Sequence, residues 1–392
     1  MRTLIAVQGV LMARILGPQD LGRFAVLTSA LTLSAIVAQL GIPSALSRYL
    51  PLCREPALQS RLRDMAAATG IVWSCVVGLI LALPATGRLL SEEPWVRAWL
   101  VSGVVVLPLQ TLIQASLSLL HGQSRFPRKA AVETSAAAIT FMLIIAGTLT
   151  HGLSGAVWGK LAAALVVAAV VSAATGVRRP RRIGFPPGFW RFAVLSLASS
   201  SFSTMLHTAD TLVLGALRIP AGDIGSYRLA SLMYSFLSMV PAAAMHTLFP
   251  RLVQAYDKPE QLRAICLGSI RYLMVFGIAA AAIGIYGVPL VVAPLVGTEY
   301  SAGIPFVRAL SLGLLFRPIV LWAGSVILAM GRPGLNLTLL MATGALNLAL
   351  NIVLVSSHGP IGAAWATVAS EATSALLGGG AVLWLLRDGR RG

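Results

Sequence analysis

Charged residues are scarce in this chain of 392 residues, and their scarcity excludes most water-soluble folds. Only 11% of the residues are charged, and the mean hydropathy is +0.83. A soluble domain of this size needs far more polar surface to cover its core. The composition therefore predicts an integral membrane protein.

Acidic residues are the scarcest charged type: 13 Asp and Glu stand against 30 Lys and Arg, which gives a formal net charge of +17. In a soluble protein this imbalance would indicate nucleic-acid binding. Here most of the basic residues fall at the two ends of the chain or in alternate loops between apolar segments. This is the positive-inside distribution. We therefore expect no nucleic-acid partner, and we expect both termini in the cytoplasm.

The chain also has little that would support catalysis. Its three cysteines, Cys53, Cys75 and Cys266, have neither disulfide nor metal-site spacing. Phosphate-binding loops and nucleophile-elbow motifs are absent from the sequence. A membrane-integral polysaccharide polymerase or glycosyltransferase, the alternative from a different functional class, would need a sizeable loop with catalytic carboxylates. The sequence predicts no enzyme, no metal and no cofactor.

Apolar runs occupy most of the sequence, and they show no alternation typical of barrel strands. The first run is short and covers only ~20 Å as a helix, so we expect either a truncated helix or a start upstream. The others are long enough to cross ~30 Å of hydrocarbon. The sequence predicts an all-α integral membrane fold with about twelve transmembrane helices, near residues 3–16, 24–46, 65–84, 97–119, 131–150, 154–175, 191–217, 226–248, 266–290, 302–329, 335–356 and 361–386.

An internal repeat divides these helices into two sets of six. The stretch HGLSGAVWG, from His151, is answered by HGPIGAAWA, from His358. A repeat read over half a chain indicates a duplicated unit. Duplicated membrane halves are typical of transporters. We predict an N-terminal lobe over 1–180, a basic cytoplasmic linker over 181–190 and a C-terminal lobe over 191–392. An even number of helices in each half predicts a pseudo-two-fold axis along the membrane normal.

Polar residues inside the apolar runs are candidates for function, because each is costly in the membrane. Helical spacing places several of them on common faces. Such a face lines a water-filled cavity or forms a hydrogen-bonded contact between helices, and for the fourth and eleventh helices the contact is at least as good an interpretation. The candidates are Ser196, Ser200, Ser203, His207 and Asp210 in the seventh helix, Gln110 and Gln114 in the fourth, Asn347 and Asn351 in the eleventh, and Glu371 in the twelfth.

Three cations stand out within or at the ends of apolar runs: Arg317, Arg14 and Lys160. A buried arginine needs a carboxylate, carbonyl groups, water or an anionic ligand. The planar guanidinium fits a phosphate through two parallel bonds, so an anionic substrate is one reason to keep it there. An internal ion pair of Arg317 with Asp210 or Glu371 is the alternative.

Several longer motifs resemble bacterial polysaccharide flippases of the multidrug/oligosaccharidyl-lipid/polysaccharide exporter superfamily. The resemblance extends along essentially the whole chain, in order. Its motifs are ARILGPQDLGRFAVLTSA from Ala13, ADTLVLG from Ala209, IGSYRLA from Ile224, LFPRL from Leu248, EYSAGIPF from Glu299, AMGRP from Ala329, NLALN from Asn347 and GPIGAAWATVASE from Gly359.

The resemblance implies a flippase that moves undecaprenyl-diphosphate-linked oligosaccharide to the outer leaflet of the bacterial inner membrane. Two lobes would rock about a cationic cavity. Arg14, Arg317 and Lys160 would bind the diphosphate, and Ser203 and His207 the sugars. The expected partners are this substrate and glycan polymerase or assembly proteins, and we expect a monomer.

Three titratable residues, His207, Asp210 and Glu371, are candidates for coupling to an ion gradient or to the membrane potential. A cation-coupled multidrug exporter of the same superfamily is the nearest alternative among transporters. The drug-exporting branch generally carries an acidic residue in its first helix, whereas residues 3–16 contain none.

Overall fold

A computed structural model describes residues 2–388 of the chain, except residues 54, 177–183 and 257. All regular structure in these described residues is helical. The backbone divides into two compact units, Met1–Gly222 and Asp223–Gly392. Within the helices, the side chains that are not described are those of residues 2, 3, 56, 199, 200, 202–207, 246, 259 and 388.

The first unit contains eight helices. They are α1 (Arg2–Gln39), α2 (Ile42–Tyr49), α3 (Pro56–Ala82), α4 (Pro84–Leu90), α5 (Pro94–Trp99), α6 (Gly103–Gly122), α7 (Phe126–Thr175) and α8 (Phe189–Ala216). One buried core joins α2, α3, α6 and α8 through Ile42, Leu46, Leu62, Leu119 and Phe189.

The second unit contains the remaining eight helices. They are α9 (Ala221–Leu237), α10 (Met239–Gln254), α11 (Pro259–Ala282), α12 (Val288–Val296), α13 (Ile304–Gly313), α14 (Arg317–Ala329), α15 (Pro333–His358) and α16 (Pro360–Asp388). A π-helical segment, Ile283–Gly287, joins α11 to α12. The main core of this unit includes Leu273, Trp322, Val326, Ile327 and Val382.

Proline sets many of the helix starts. Pro56, Pro94, Pro259 and Pro333 each stand in the first turn of a helix. The first turn tolerates proline because its backbone N–H groups have no partner within the helix, and the fixed φ of proline suits the helix. These prolines therefore define where successive helices begin.

The membrane prediction is confirmed. The described residues contain nine helical segments that are long and apolar enough to cross a membrane. Apolar side chains such as Leu290 and Leu376 are 78% and 76% exposed, which is costly in water and expected against lipid. The chain is therefore an all-α, multi-pass membrane protein.

Two of these nine segments contain breaks at places where the sequence predicts a turn between two helices. In α1 the break is at Gly17, with φ 72° and ψ 173°. In α7 it is at His151 and Gly152, where Gly152 has φ 58° and ψ −134°. Positive φ is readily adopted by glycine, so both glycines allow a sharp change of direction. The number of membrane crossings, twelve, stays a prediction.

The two repeated turns have closely similar local geometry. Gly152 has φ 58° and ψ −134°, and Gly359 has φ 67° and ψ −152°. Three residues later, a side chain on Gly155 would overlap the carbonyl of Gly147, and one on Gly362 would overlap the carbonyl of Leu354. Each turn therefore brings two helical backbones into close contact at the same relative positions, as small residues do between membrane helices.

Helix α8 packs within the first unit. A side chain on Gly41 would overlap the carbonyl of Ala193, and one on Gly215 would crowd the carbonyl of Leu90. Glycine thus permits close backbone contact near both ends of α8. The repeat places this helix at the start of the C-terminal half, and the lobe boundaries at 180 and 191 stay a prediction.

We expect Gly155→Ala and Gly362→Ala each to destabilise the protein, by about 1–3 kcal/mol, because the added methyl group meets a backbone carbonyl that cannot move independently. Gly380→Ala is the matched control, since a methyl group there has open space. Thermal melting of the purified protein in detergent measures the effect. Equal melting temperatures for all three variants would contradict the close backbone packing at the repeated turns.

Candidate functional site

The clearest polar cluster in the described membrane helices joins Arg317, Glu371 and Tyr234 in the second unit. Arg317 Nη1 lies 2.7 Å from Glu371 Oε1. The Tyr234 hydroxyl donates to the same carboxylate oxygen at 3.2 Å. The ion pair predicted as the alternative for Arg317 is therefore present, and Glu371 is the partner.

A break in the chain positions Arg317. The sequence predicts one helix over 302–329, but the structure contains α13 and α14, separated by a turn at residues 314–316. Within this turn the backbone bonds are short-range: Leu314 N–H donates to Ser311 and Phe316 N–H donates to Gly313. Pro318 follows in the first turn of α14. Arg317 is consequently the first residue of a helix rather than the middle of one, which corrects the prediction.

The ion pair is enclosed but not sealed. The side chains of Arg317 and Glu371 are 18% and 12% exposed, and Tyr234 is 8% exposed. Arg317 Nε and Glu371 Oε2 are buried, and neither has a hydrogen-bond partner in the part of the chain that the structure describes. Both partners therefore keep hydrogen-bonding capacity that the fold does not use.

Helix α15 carries the buried amides that the sequence singled out. Asn347 and Asn351 are 2% and 0% exposed. Asn351 Nδ2 donates to the backbone carbonyl of Asn347 at 3.0 Å and to its side-chain oxygen at 3.3 Å. Bonds along one helix satisfy part of the polarity of these groups. Their role in lining a cavity stays a prediction.

The remaining predicted site residues belong to the first unit. Among the cations, Arg14 is exposed on α1 and Lys160 is half-buried on α7. The other placements are Gln110, half-buried, and Gln114, exposed, on α6, with Ser196, half-buried, and Asp210, buried, on α8. The side chains of Ser200, Ser203 and His207 lie outside those that the structure describes. The binding and coupling roles of all these residues stay predictions.

Sequence reasoning missed two residues. Tyr234 went unnoticed because a single tyrosine in an apolar helix gives no periodic signal. Arg63 was counted with the basic loop residues, whereas it lies inside α3 and is fully buried. Its guanidinium donates to the carbonyls of Thr175 and Gly176 at the end of α7 and pairs with Asp64. The signal that could have found it is Pro56, which begins α3 earlier than the predicted start at residue 65.

Metal binding has no candidate in the described residues, because no three His, Cys, Asp or Glu side chains come together there. The polar side chains described above can bind an anion through a guanidinium and can form hydrogen bonds through hydroxyl and amide groups.

Comparison with known proteins gives the family. Residues 2–256 match the family described as polysaccharide biosynthesis protein. The chain belongs to this family. Among curated proteins, the chain is similar to a probable low-salt glycan biosynthesis flippase, Agl15 of Haloferax volcanii, with 23% identity over 384 residues, which cover 93% of this chain and 77% of that protein.

Solved structures of two transporters are similar to this chain in fold. The lipid II flippase MurJ in an inward closed conformation matches with a TM-score of 0.81 at 15% identity, covering 97% of this chain and 85% of that one. An inward-facing multidrug resistance transporter of the MATE family and the MOP superfamily matches with a TM-score of 0.80 at 15% identity, covering 99% and 96%. At these identities the likeness shows the fold alone.

Proposed function

We propose that this protein is a flippase for a polyprenyl-diphosphate-linked oligosaccharide, which it moves from the cytoplasmic to the outer leaflet of the inner membrane by alternating access of two lobes. The observation that carries the proposal is membership of a polysaccharide biosynthesis family in a chain with a transporter fold. The name of the Haloferax volcanii relative, a glycan biosynthesis flippase, supports it.

The physical task is to carry charge and sugar hydroxyls through hydrocarbon. A diphosphate head group cannot cross ~30 Å of lipid unaided, and a polar, positive path between helices removes this barrier. Arg317, Arg14 and Lys160 bind the diphosphate in this proposal, and Ser203 and His207 bind sugars. The other polar residues that line the path are Ser196, Ser200, Gln110, Gln114, Asn347 and Asn351.

Coupling to an energy source requires a group that changes charge or moves within the membrane field. His207, Asp210 and Glu371 are the candidates. The ion pair of Glu371 with Arg317 supports a role for this carboxylate in which its charge state depends on what the arginine binds.

Drug export is the second candidate function, because the MATE-family fold matches over nearly the whole chain. The polysaccharide biosynthesis family favours a glycan substrate. Loss of the gene in the native host separates the two: we expect lipid-linked glycan to accumulate on the inner leaflet and surface glycan to fall. Unchanged surface glycan with increased sensitivity to cationic drugs would instead support drug export.

The proposed orientation has its own test. The equivalent turns at His151 and His358 are exposed and lie on the outer side in this proposal, whereas Arg125, exposed before α7, lies in the cytoplasm. In a cysteine-free background, His151→Cys and His358→Cys should react with an impermeant maleimide in intact cells, and Arg125→Cys should react only after permeabilisation. Labelling of Arg125→Cys in intact cells would reverse the orientation.

A further inference from the structure

We propose that Glu371 is a built-in competitor for the phosphate of the substrate: it occupies Arg317 while the site is empty and yields the guanidinium to a diphosphate head group. The proposal rests on the proposed function, because it orders the events at the anion-binding residue named there. The ligand class is a diphosphate carried on a lipid.

The ion pair is built so that it can be exchanged. A single hydrogen bond joins the two charges, from Arg317 Nη1 to Glu371 Oε1 at 2.7 Å. A guanidinium binds a carboxylate or phosphate most strongly through two parallel bonds. Here Arg317 Nε and Glu371 Oε2 are buried and unbonded within the described part of the chain. The carboxylate thus makes one of the two parallel hydrogen bonds that a guanidinium can form. A phosphate that accepts from two N–H groups would bind Arg317 more tightly.

Unused buried polar atoms are uncommon in proteins, and each calls for an explanation. Arg63 provides a contrast within the same chain. Its Nε is likewise buried without a partner in the described part of the chain, so the contrast lies in the bonds that are made. The Arg63 side chain is 0% exposed, and both of its terminal nitrogens donate to the backbone carbonyls of a helix end. Arg317 is 18% exposed and holds a side chain rather than a helix end, so a ligand can replace its partner without unfolding a helix.

Tyr234 holds the carboxylate when the arginine leaves. Its hydroxyl donates to Glu371 Oε1, the same oxygen that accepts from Arg317. The tyrosine is 8% exposed, so its hydroxyl has a fixed position beside the carboxylate. After exchange, this hydrogen bond partly replaces the guanidinium as the donor to the buried charge. Tyr234 is therefore a positioning residue for Glu371.

Competition by Glu371 affects both which lipid binds to Arg317 and how the bound diphosphate is released. A ligand must bind the Arg317 guanidinium more strongly than the Glu371 carboxylate does. Any phosphate can offer two oxygens to one guanidinium, but a diphosphate has several negative charges, whereas an ordinary phospholipid phosphodiester has one, as Glu371 does. The additional charge therefore favours the diphosphate over bulk phospholipids, and the returning carboxylate helps to expel the diphosphate on the other side of the membrane.

Binding of farnesyl diphosphate to the purified full-length protein in detergent tests this proposal. Glu371→Gln keeps the shape of the side chain and removes the competing charge. If Glu371 occupies Arg317 about nine-tenths of the time in the wild type, removing this competition should raise the affinity for farnesyl diphosphate by about tenfold. Tyr234→Phe should lower the affinity a few-fold, because the released carboxylate then lacks its donor. Tyr272→Phe, on the exposed surface of α11, is the matched control and should bind as the wild type does.

The opposite signs of the two changes are the decisive result, because a merely structural role predicts weaker binding for both. Unchanged or weaker binding by a folded Glu371→Gln would overturn the competitor, while the proposed function would stand if the wild type binds and the folded double variant Arg317→Gln/Glu371→Gln does not. If Glu371→Gln fails to fold, stronger or unchanged binding by Tyr234→Phe overturns the proposal. Equal binding by the wild type and Arg317→Gln would remove the phosphate role of Arg317 from the proposed function itself.

Discussion

Replacing Arg317 by Gln should abolish transport and also lower the amount of folded protein in the membrane. The change leaves the Glu371 carboxylate with the Tyr234 hydroxyl as its remaining hydrogen-bond donor in the described part of the chain. Breaking a buried ion pair by removing one partner costs about 3–5 kcal/mol. Because native proteins are stable by only about 5–15 kcal/mol, this loss should reduce abundance visibly.

The companion variants separate folding from function. The double change Arg317→Gln with Glu371→Gln removes both charges, so abundance should recover while transport stays absent. Arg317→Lys should recover only part of transport, since an ammonium group lacks the planar fork. Arg308→Gln, an exposed arginine on α13, is the control and should have little effect. Membrane abundance by quantitative blotting and glycan at the cell surface are the two measurements. Normal abundance with normal transport in Arg317→Gln would contradict both roles of the residue.

Replacing Arg63 by Met should destabilise the first unit about as strongly. Arg63 is 0% exposed, contacts Asp64 at 2.6 Å and donates to the last carbonyls of α7 at 3.2 and 3.1 Å. A cation at a helix C-terminus satisfies unpaired carbonyls and interacts favourably with the helix dipole. Removing it leaves these groups and the Asp64 charge buried, at a cost of about 3–5 kcal/mol.

Arg61→Met is the matched control, because Arg61 lies two residues away on α3 and is exposed. We expect the melting temperature of Arg63→Met in detergent to fall by at least about 5 °C relative to the wild type, and that of Arg61→Met to change little. The double variant Arg63→Met/Asp64→Leu should recover part of the lost melting temperature, because it no longer buries the Asp64 charge. A melting temperature for Arg63→Met equal to that of Arg61→Met would show that Arg63 does not stabilise the helix end.

Composition was sufficient to predict the membrane class, because hydropathy and helix length depend on residues that are close in sequence. The turns that contain Gly152 and Gly359 lie in the gaps between predicted helices for the same reason, because the apolar runs end on either side of the repeated motif. The family also followed from the ordered motifs. These features need no knowledge of which helices meet.

The ion pair shows where such reasoning stops. The cost of polar residues inside apolar runs identified both Arg317 and Glu371, but sequence reasoning could not choose between Asp210 and Glu371 as the partner, because the choice depends on packing between distant segments. The break before α14 was missed because the run through residue 317 is continuously apolar around one arginine. Arg63 was misplaced because the apolar run that predicts the third helix begins only at residue 65, whereas tertiary hydrogen bonds to α7 accommodate its charge inside the fold.

Reconstitution into lipid vesicles tests the central claim most directly. Vesicles would contain a polyprenyl-diphosphate oligosaccharide with a fluorescent label on the glycan, and an impermeant reductant added outside would bleach only the label that it reaches. With the wild type, the label that begins on the inner leaflet should become accessible, so bleaching should approach completion. In vesicles that contain the double variant Arg317→Gln/Glu371→Gln, bleaching should stop at the outer-leaflet fraction, as it does in vesicles without protein. If purified, folded wild-type protein also stops at that fraction, the protein is not a flippase for this class of lipid.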